Sequence, residues 1–215
     1  MSIMPLPDPS PESESIRLSA LDAYAGQPGT LPGVNFWPRV AARVIDLIVH
    51  YFIAISSGVF FGVLVGIAAA LQHRHAPFAH RQPNGIALFV MALLGSVALE
   101  AICEGFHGST LGKLLLGMTV VQEDRSPCRP GSAFIRSFAY FIDGLFFGLI
   151  GYLNMQKTPQ QQRHGDEWAH TVVCRRSDVA PQNRRGGGQF VLAFFFATMA
   201  DAALVITGLL SWMIV

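Results

Sequence analysis

The chain has 215 residues, 51% of them hydrophobic and only 13% charged, with a formal net charge of +1 and a mean hydropathy of +0.40. A soluble globular domain carries about 25% charged residues, so the composition points to a polytopic membrane protein whose first partner is the lipid bilayer. No global field draws such a chain to nucleic acid, and no basic recognition module is present. The odd, widely spaced cysteines Cys103, Cys128 and Cys174 argue against a disulfide framework or a zinc site.

Residues 1–33 are rich in Pro, Ser, Asp and Glu and lack the apolar centre of a signal peptide. They read as a disordered cytoplasmic tail, which leaves insertion to the first apolar segment.

That segment runs from Arg39 to about Leu71, longer than the roughly 20 residues a span requires. At 100° per residue, Arg43, Asp46, His50 and Ser57 all fall within about 40° of the direction of Arg39, a single polar stripe on an apolar helix. Ionisable groups at bilayer depth cost roughly 2.5 kcal/mol or more each, so they face protein and mark a candidate site. Two readings of Asp46 stay open. Clamped by Arg39 or Arg43 it is an ionised packing element; with the arginines drawn to the head groups, it is free to exchange protons or hold a cation. Gly58, Gly62 and Gly66 lie nearly opposite the stripe, a spacing suited to close helix packing and to self-association or docking of a membrane partner.

The second segment, Ile86 to about Ile102, follows Pro83-Asn84-Gly85 and carries Glu100, with Glu104 and His107 on the same face. One Glu-x-x-His is half of what a helical di-iron site needs, so this face is expected to pair with Lys113 or an arginine. Gly108 to Lys113 imitates a phosphate loop, but it has one residue too few and leucine follows the lysine. Its glycines are expected to bend an interfacial segment, with Lys113 at anionic head groups. His73, His75 and His80 read as a solvated loop. No catalytic constellation, metal set or cofactor motif emerges, so an enzyme is not expected.

The third segment, about Ala133 to Leu153, is interrupted by Gly144, Gly148 and Gly151. It also repeats a phrase of the first: Arg39-x-x-Ala42-x-x-Ile45-Asp46 returns as Arg136-x-x-Ala139-x-x-Ile142-Asp143. The repeat suggests two related units packed about an axis. The fourth segment, Phe190–Val215, holds Asp201 near its middle. Loop charge is lowest at 72–85 and highest at 154–189. Four plain spans with the N-terminus inside would put the most basic loop outside, against the positive-inside rule. A re-entrant third segment removes the conflict. Asp166 and Glu167, beside Arg163 and Trp168, read as a membrane-surface segment with local pairing.

Several of these motifs, in this order, resemble the RDD family of bacterial membrane proteins over roughly Val34 to Cys174. The likeness rests on Phe36-Trp37-Pro38-Arg39 leading to Ile45-Asp46, on Glu100 and Glu104 before Gly108 to Val121, and on Arg136 and Asp143. It closes on Gln162-Arg163-His164-Gly165-Asp166-Glu167-Trp168 and the residues to Val173. The resemblance implies that Arg39 and Asp46 are the family's arginine and first aspartate, with Asp166, or else Asp143, as the second. It further implies a helical fold embedded in the bacterial cytoplasmic membrane and a molecular role that is largely unsettled for the family, with transport of an unidentified ligand as one candidate. The N-terminus is expected inside from the character of residues 1–33. Two departures stand out: Phe190–Val215 lies outside the pattern, and His170 stands where a small residue is usual.

The expected architecture is therefore an all-α, polytopic transmembrane bundle of three to four spans, the third segment open to re-entry. Residues 34–174 form the membrane domain, 175–189 a basic linker and 190–215 a terminal helix. Arg39, Arg43, Asp46, Glu100, Asp143 and Asp166 are the candidate site. They line an ion or ligand path, or they are structural ion pairs of a non-transporting assembly module.

Overall fold

The computed structural model describes residues 31–72 and 84–214. The predicted histidine cluster and residues 1–30 of the predicted tail lie outside this range. Leu31 is buried with Val121, Val172, Cys174 and Val179. Three residues on, the Val34 N–H donates to the Val173 carbonyl at 2.9 Å.

Helix α1 (Phe36–Leu71) takes Pro38 in its first turn, where no intrahelical donor is lost. Helix α2 (Gly85–His107) is capped by the Asn84 side chain and ends on Gly108 at φ 87°, the left-handed residue that glycine accommodates freely. A short helix, α3 (Leu111–Leu115), is capped by Thr110 and leads into strand β1 (Met118–Gln122). Helix α4 (Pro130–Asp143) starts on proline and is followed by α5 (Leu145–Met155), then by the short α6 (His164–Trp168) and strand β2 (Thr171–Arg175). Helix α7 (Gly187–Ile214) ends the described chain.

Helices α1, α2 and α7 are each long and apolar enough to cross a membrane. Their large exposed side chains are mostly apolar, among them Tyr51, Phe52, Phe60, Val63, Phe89, Leu192 and Phe196, whereas Arg39, Asp46, Glu100, Glu104 and Asp201 are buried. Charge inside and hydrocarbon outside is the inverse of a soluble fold and fits a lipid surround. Helix α4 follows the same rule, with Arg136, Ser137 and Asp143 inward and Phe134, Phe138 and Phe141 outward.

The α4–α5 pair is bent by 111° and would be a fourth span only if counted as one broken helix. Both of its ends meet the same end of the bundle. At its start, a Cβ on Gly105 of α2 would lie 2.8 Å from Pro130 Cα. At its finish, the Tyr152 ring stands 5.1 Å from Phe36 of α1. A pair bent this sharply is a broken span or a re-entrant loop, and Gly144 and the left-handed Gly148 lie at its break.

The strands were not expected. Thr119-Val120-Val121 and Thr171-Val172-Val173 are β-branched triplets, and β1 and β2 pair antiparallel with Val120 opposite Val173. In so apolar a chain, segments this short merge into the hydrophobic background. Residues 175–189, read as a linker, form two 3-10 turns. There Arg185 donates to the Gly105 carbonyl at 2.7 Å and the Cys128 carbonyl at 3.0 Å. Burial pushes the Cys128 thiol up to about 11 and the Cys174 thiol up to about 12, so both stay protonated.

Candidate functional site

The repeated phrase has a structural counterpart. In the first unit, Asp46 accepts from the Thr110 hydroxyl at 2.6 Å and the Gly112 N–H at 2.8 Å, closing the start of α3. In the second, Asp143 accepts from the N–H groups of His164 at 3.2 Å and Gly165 at 3.1 Å, closing the start of α6. A carboxylate suits both places, because the first turn of a helix leaves its N–H groups unpaired.

The packing repeats as well. A Cβ on Gly112 would meet the Ala42 carbonyl oxygen at 2.2 Å, and one on Gly165 would meet Ala139 Cβ at 2.9 Å. Ala42 and Ala139 are the alanines of the two phrases. Each short helix then passes through a left-handed residue, Gly117 at φ 67° or His170 at φ 52°, into its strand. The two strands pair about Val120 and Val173, as two units related by a local two-fold would.

His170 is the flaw in this correspondence. It bears a side chain in a left-handed conformation where its counterpart is glycine, and its pairing with Glu123, 3.4 Å away, is solvent-exposed and worth little. His170→Gly is expected to stabilise the protein by about 0.5–1 kcal/mol. Its thermal unfolding midpoint in detergent should rise by about 1–4 °C; an unchanged or lower midpoint would contradict the strain argument.

Between the units lies a buried ion network. Asp166, fully buried, receives Arg39 Nη1 at 2.6 Å and Arg136 Nη1 at 3.2 Å, with Arg163 Nη2 at 3.8 Å. Burial alone would raise its carboxyl. The guanidiniums of Arg136, Arg163 and Arg39, with the Arg163 N–H, outweigh that and hold it well below the usual carboxylate range. Arg39 is fully engaged, because Nε also donates to the Val34 carbonyl at 2.9 Å and Nη2 to that of Gln161 at 2.8 Å. Arg136 reaches Glu104 at 3.2 Å, and Glu104 also receives Lys113. Arg43 pairs with Glu100 at 2.5 Å and lies 4.4 Å from the Tyr140 ring centroid.

Three expectations need correction. The clamp, one of the two readings left open for Asp46, is not formed by Arg39 or Arg43; its two oxygens accept from Thr110 and Gly112 instead. Lys113 is not at head groups: it is buried on Glu104, while Leu115 and Leu116 beside it are exposed. Asp166 is a buried hub joined across 127 positions to Arg39, not a surface residue, although the expected local pairing with Arg163 is present and Glu167 pairs nearby with Asn154 at 3.0 Å. Of the six site residues, Asp166 and Arg39 share one cluster, Arg43 and Glu100 a second, and Asp46 and Asp143 cap separate helices. Sequence reasoning did not place Glu104, Lys113, Arg136 and Arg163 in the site. For Arg136 the repeat carried the signal, since it stands where Arg39 does and meets the same aspartate.

A cavity of about 200 Å³ opens beside the network, lined by Arg39, Arg43, Asp46, Glu100, Asp143 and Arg163 among others. Among the described residues, no group of three or more His, Cys, Asp or Glu side chains is placed to hold a metal ion.

The sequence pattern of the RDD family matches residues 34–170, well over half of the chain. The chain belongs to the RDD family. The match takes in both Arg-x-x-Ala-x-x-Ile-Asp units and Asp166, and it ends just before β2 of this RDD protein, leaving α7 outside. Comparison with curated proteins and with solved structures finds no match.

Proposed function

We propose that this RDD-family protein moves an ion or small polar solute across the bacterial cytoplasmic membrane, with the charged cavity as its entrance. The observation that carries this reading is a line of ionisable groups continuing inward from the cavity. Along α1, Arg39, Arg43, Asp46 and His50 follow at helical spacing, and His50 Nδ1 lies 2.8 Å from Asp201 of α7. Asp201 is fully buried near the middle of its helix, and its other carboxylate oxygen has no hydrogen-bonding partner among the described residues. Intramembrane carboxylates at such depth are costly and are kept for ion or proton pathways. The basic residues of 154–189 gather at the end of the bundle where α1 begins, which supports a cytoplasmic location for that end.

The test is flux in proteoliposomes. Wild-type protein should carry protons or alkali cations above the rate of empty vesicles, and Asp46→Asn should lower the rate about tenfold or more. Equal rates in the two proteins, or none in wild type, would end the transport reading.

A second reading, a non-transporting assembly module, is favoured by the uncovered outer half of α1. Among the described residues, a Cβ on Gly62 or Gly66 would meet nothing within 4 Å. A stable hetero-complex recovered in mild detergent, with no flux, would select it.

A further inference from the structure

Two guanidiniums in the cavity have binding capacity left over. Tyr140 lies close to both, with the Arg43 guanidinium carbon 4.4 Å and that of Arg163 5.3 Å from its ring centroid. Arg43 engages Glu100 through Nη1, but among the described residues its buried Nε has no hydrogen-bonding partner, and neither has Arg163 Nε. The carboxylate within reach of Arg163 is Asp166, 3.8 Å away and already serving Arg39 and Arg136 at shorter distances. Two further acids on the cavity wall, Asp46 and Asp143, form no direct ion pair with either guanidinium among the described residues, and their oxygens meet hydroxyl, backbone and imidazole groups instead. Partly desolvated cations with unspent donors bind anions strongly, and guanidiniums suit phosphate oxygens in particular.

The mouth of the cavity indicates where the anion comes from. It is edged by Val44 and Leu47 of α1, both lining the cavity and both exposed on the helix's apolar face. They lie within the first ~17 Å of α1, near the level of lipid head groups when that helix spans. An occupant with a charged head and an apolar body would satisfy both surfaces.

We propose that Arg43 and Arg163, with Tyr140 between them, form a binding site for a phosphate group, supplied by an anionic phospholipid head group or as free phosphate. This rests on reading the cavity as a ligand site, and it names the chemistry of one ligand.

The experiment uses the purified full-length protein in a mild non-ionic detergent. Thermal unfolding is followed with short-chain phosphatidylglycerol, with short-chain phosphatidylcholine, or with inorganic phosphate. Phosphatidylglycerol, inorganic phosphate or both should raise the wild-type midpoint saturably, by about 5–10 °C at a hundredfold excess over Kd. The rise should vanish in Arg163→Gln and persist in Arg175→Gln, which removes an exposed cation. A response to phosphatidylglycerol alone assigns the head group as the source, and one to inorganic phosphate alone assigns the free anion. If Arg163→Gln does not fold, Val44→Trp decides: it blocks the mouth with both guanidiniums intact and should abolish the lipid response. No saturable response, a response equal in phosphatidylcholine, or one equally lost in Arg175→Gln overturns the site. Flux sensitive to Asp46→Asn without Arg163-dependent binding would remove this inference and leave the transport reading. Arg163-dependent binding without flux would do the reverse.

Discussion

Replacing Asp166 by alanine is expected to cost about 3–5 kcal/mol of folding stability, the range for removing one partner of a buried ion pair. The cost exceeds that of an ordinary pair deletion in kind, since three guanidiniums converge on this carboxylate and two of them, Arg39 and Arg136, are themselves buried. Without Asp166, Arg163 and Arg39 lose the carboxylate within their reach, while Arg136 keeps Glu104. Asparagine preserves the shape but not the charge, so it should recover only a minor part. Equilibrium unfolding in mixed micelles measures the difference; a loss below about 1 kcal/mol would mean that the arginines find other partners or water.

Acid should have a related effect. The folded-state carboxyl of Asp166 is held below its unfolded value. Its contribution is therefore complete above the unfolded value, about 3.9, and is lost as pH falls through the folded one. The wild-type protein should lose stability below about pH 4, and Asp166→Asn should flatten that limb of the profile. An acid limb of the same slope in both proteins would place the responsible carboxylate elsewhere.

How much of this was legible in the sequence depends on whether an interaction runs along the chain or across it. The stripe of Arg39, Asp46 and Ser57 was legible because helical period alone puts those residues on one face, and all three are buried. The partners were not. Asp46 is satisfied in part by the backbone of Gly112, 66 positions away, and a backbone N–H has no signature in residue types. Lys113 carried two readings, a partner for the Glu100–Glu104 face and a head-group contact of a glycine-bent interfacial segment. The chain tightens into α3 there and turns the lysine onto Glu104, so the first holds and the second does not. The Arg-x-x-Ala-x-x-Ile-Asp repeat was visible as spelling. Its meaning, that each aspartate caps a short helix and each alanine receives a glycine, needed the fold.

That meaning can be broken and repaired selectively. Gly112→Ala is expected to be the harsher of two matched changes, because the new Cβ would sit 2.2 Å from the Ala42 carbonyl oxygen and 3.0 Å from its Cα, all of it backbone that cannot rotate away. Separating α1 from α3 would also pull Gly112 and Thr110 off Asp46, leaving a buried carboxylate unpaired, which costs several kcal/mol. Gly165→Ala meets a side-chain atom first, Ala139 Cβ at 2.9 Å, with the Arg136 carbonyl at 3.2 Å. Overpacking of that kind costs about 1–3 kcal/mol. The two clashes differ in what can relieve them. Ala139→Gly removes the atom that Gly165→Ala strikes, so the double variant should regain part of the loss despite the extra glycine in α4. Ala42→Gly leaves the offending carbonyl in place and should not rescue Gly112→Ala. Unfolding of the four variants in detergent tests both halves of the argument. Rescue at Ala42, or equal damage from the two alanines, would show that the helices slide apart instead of meeting at fixed backbone contacts.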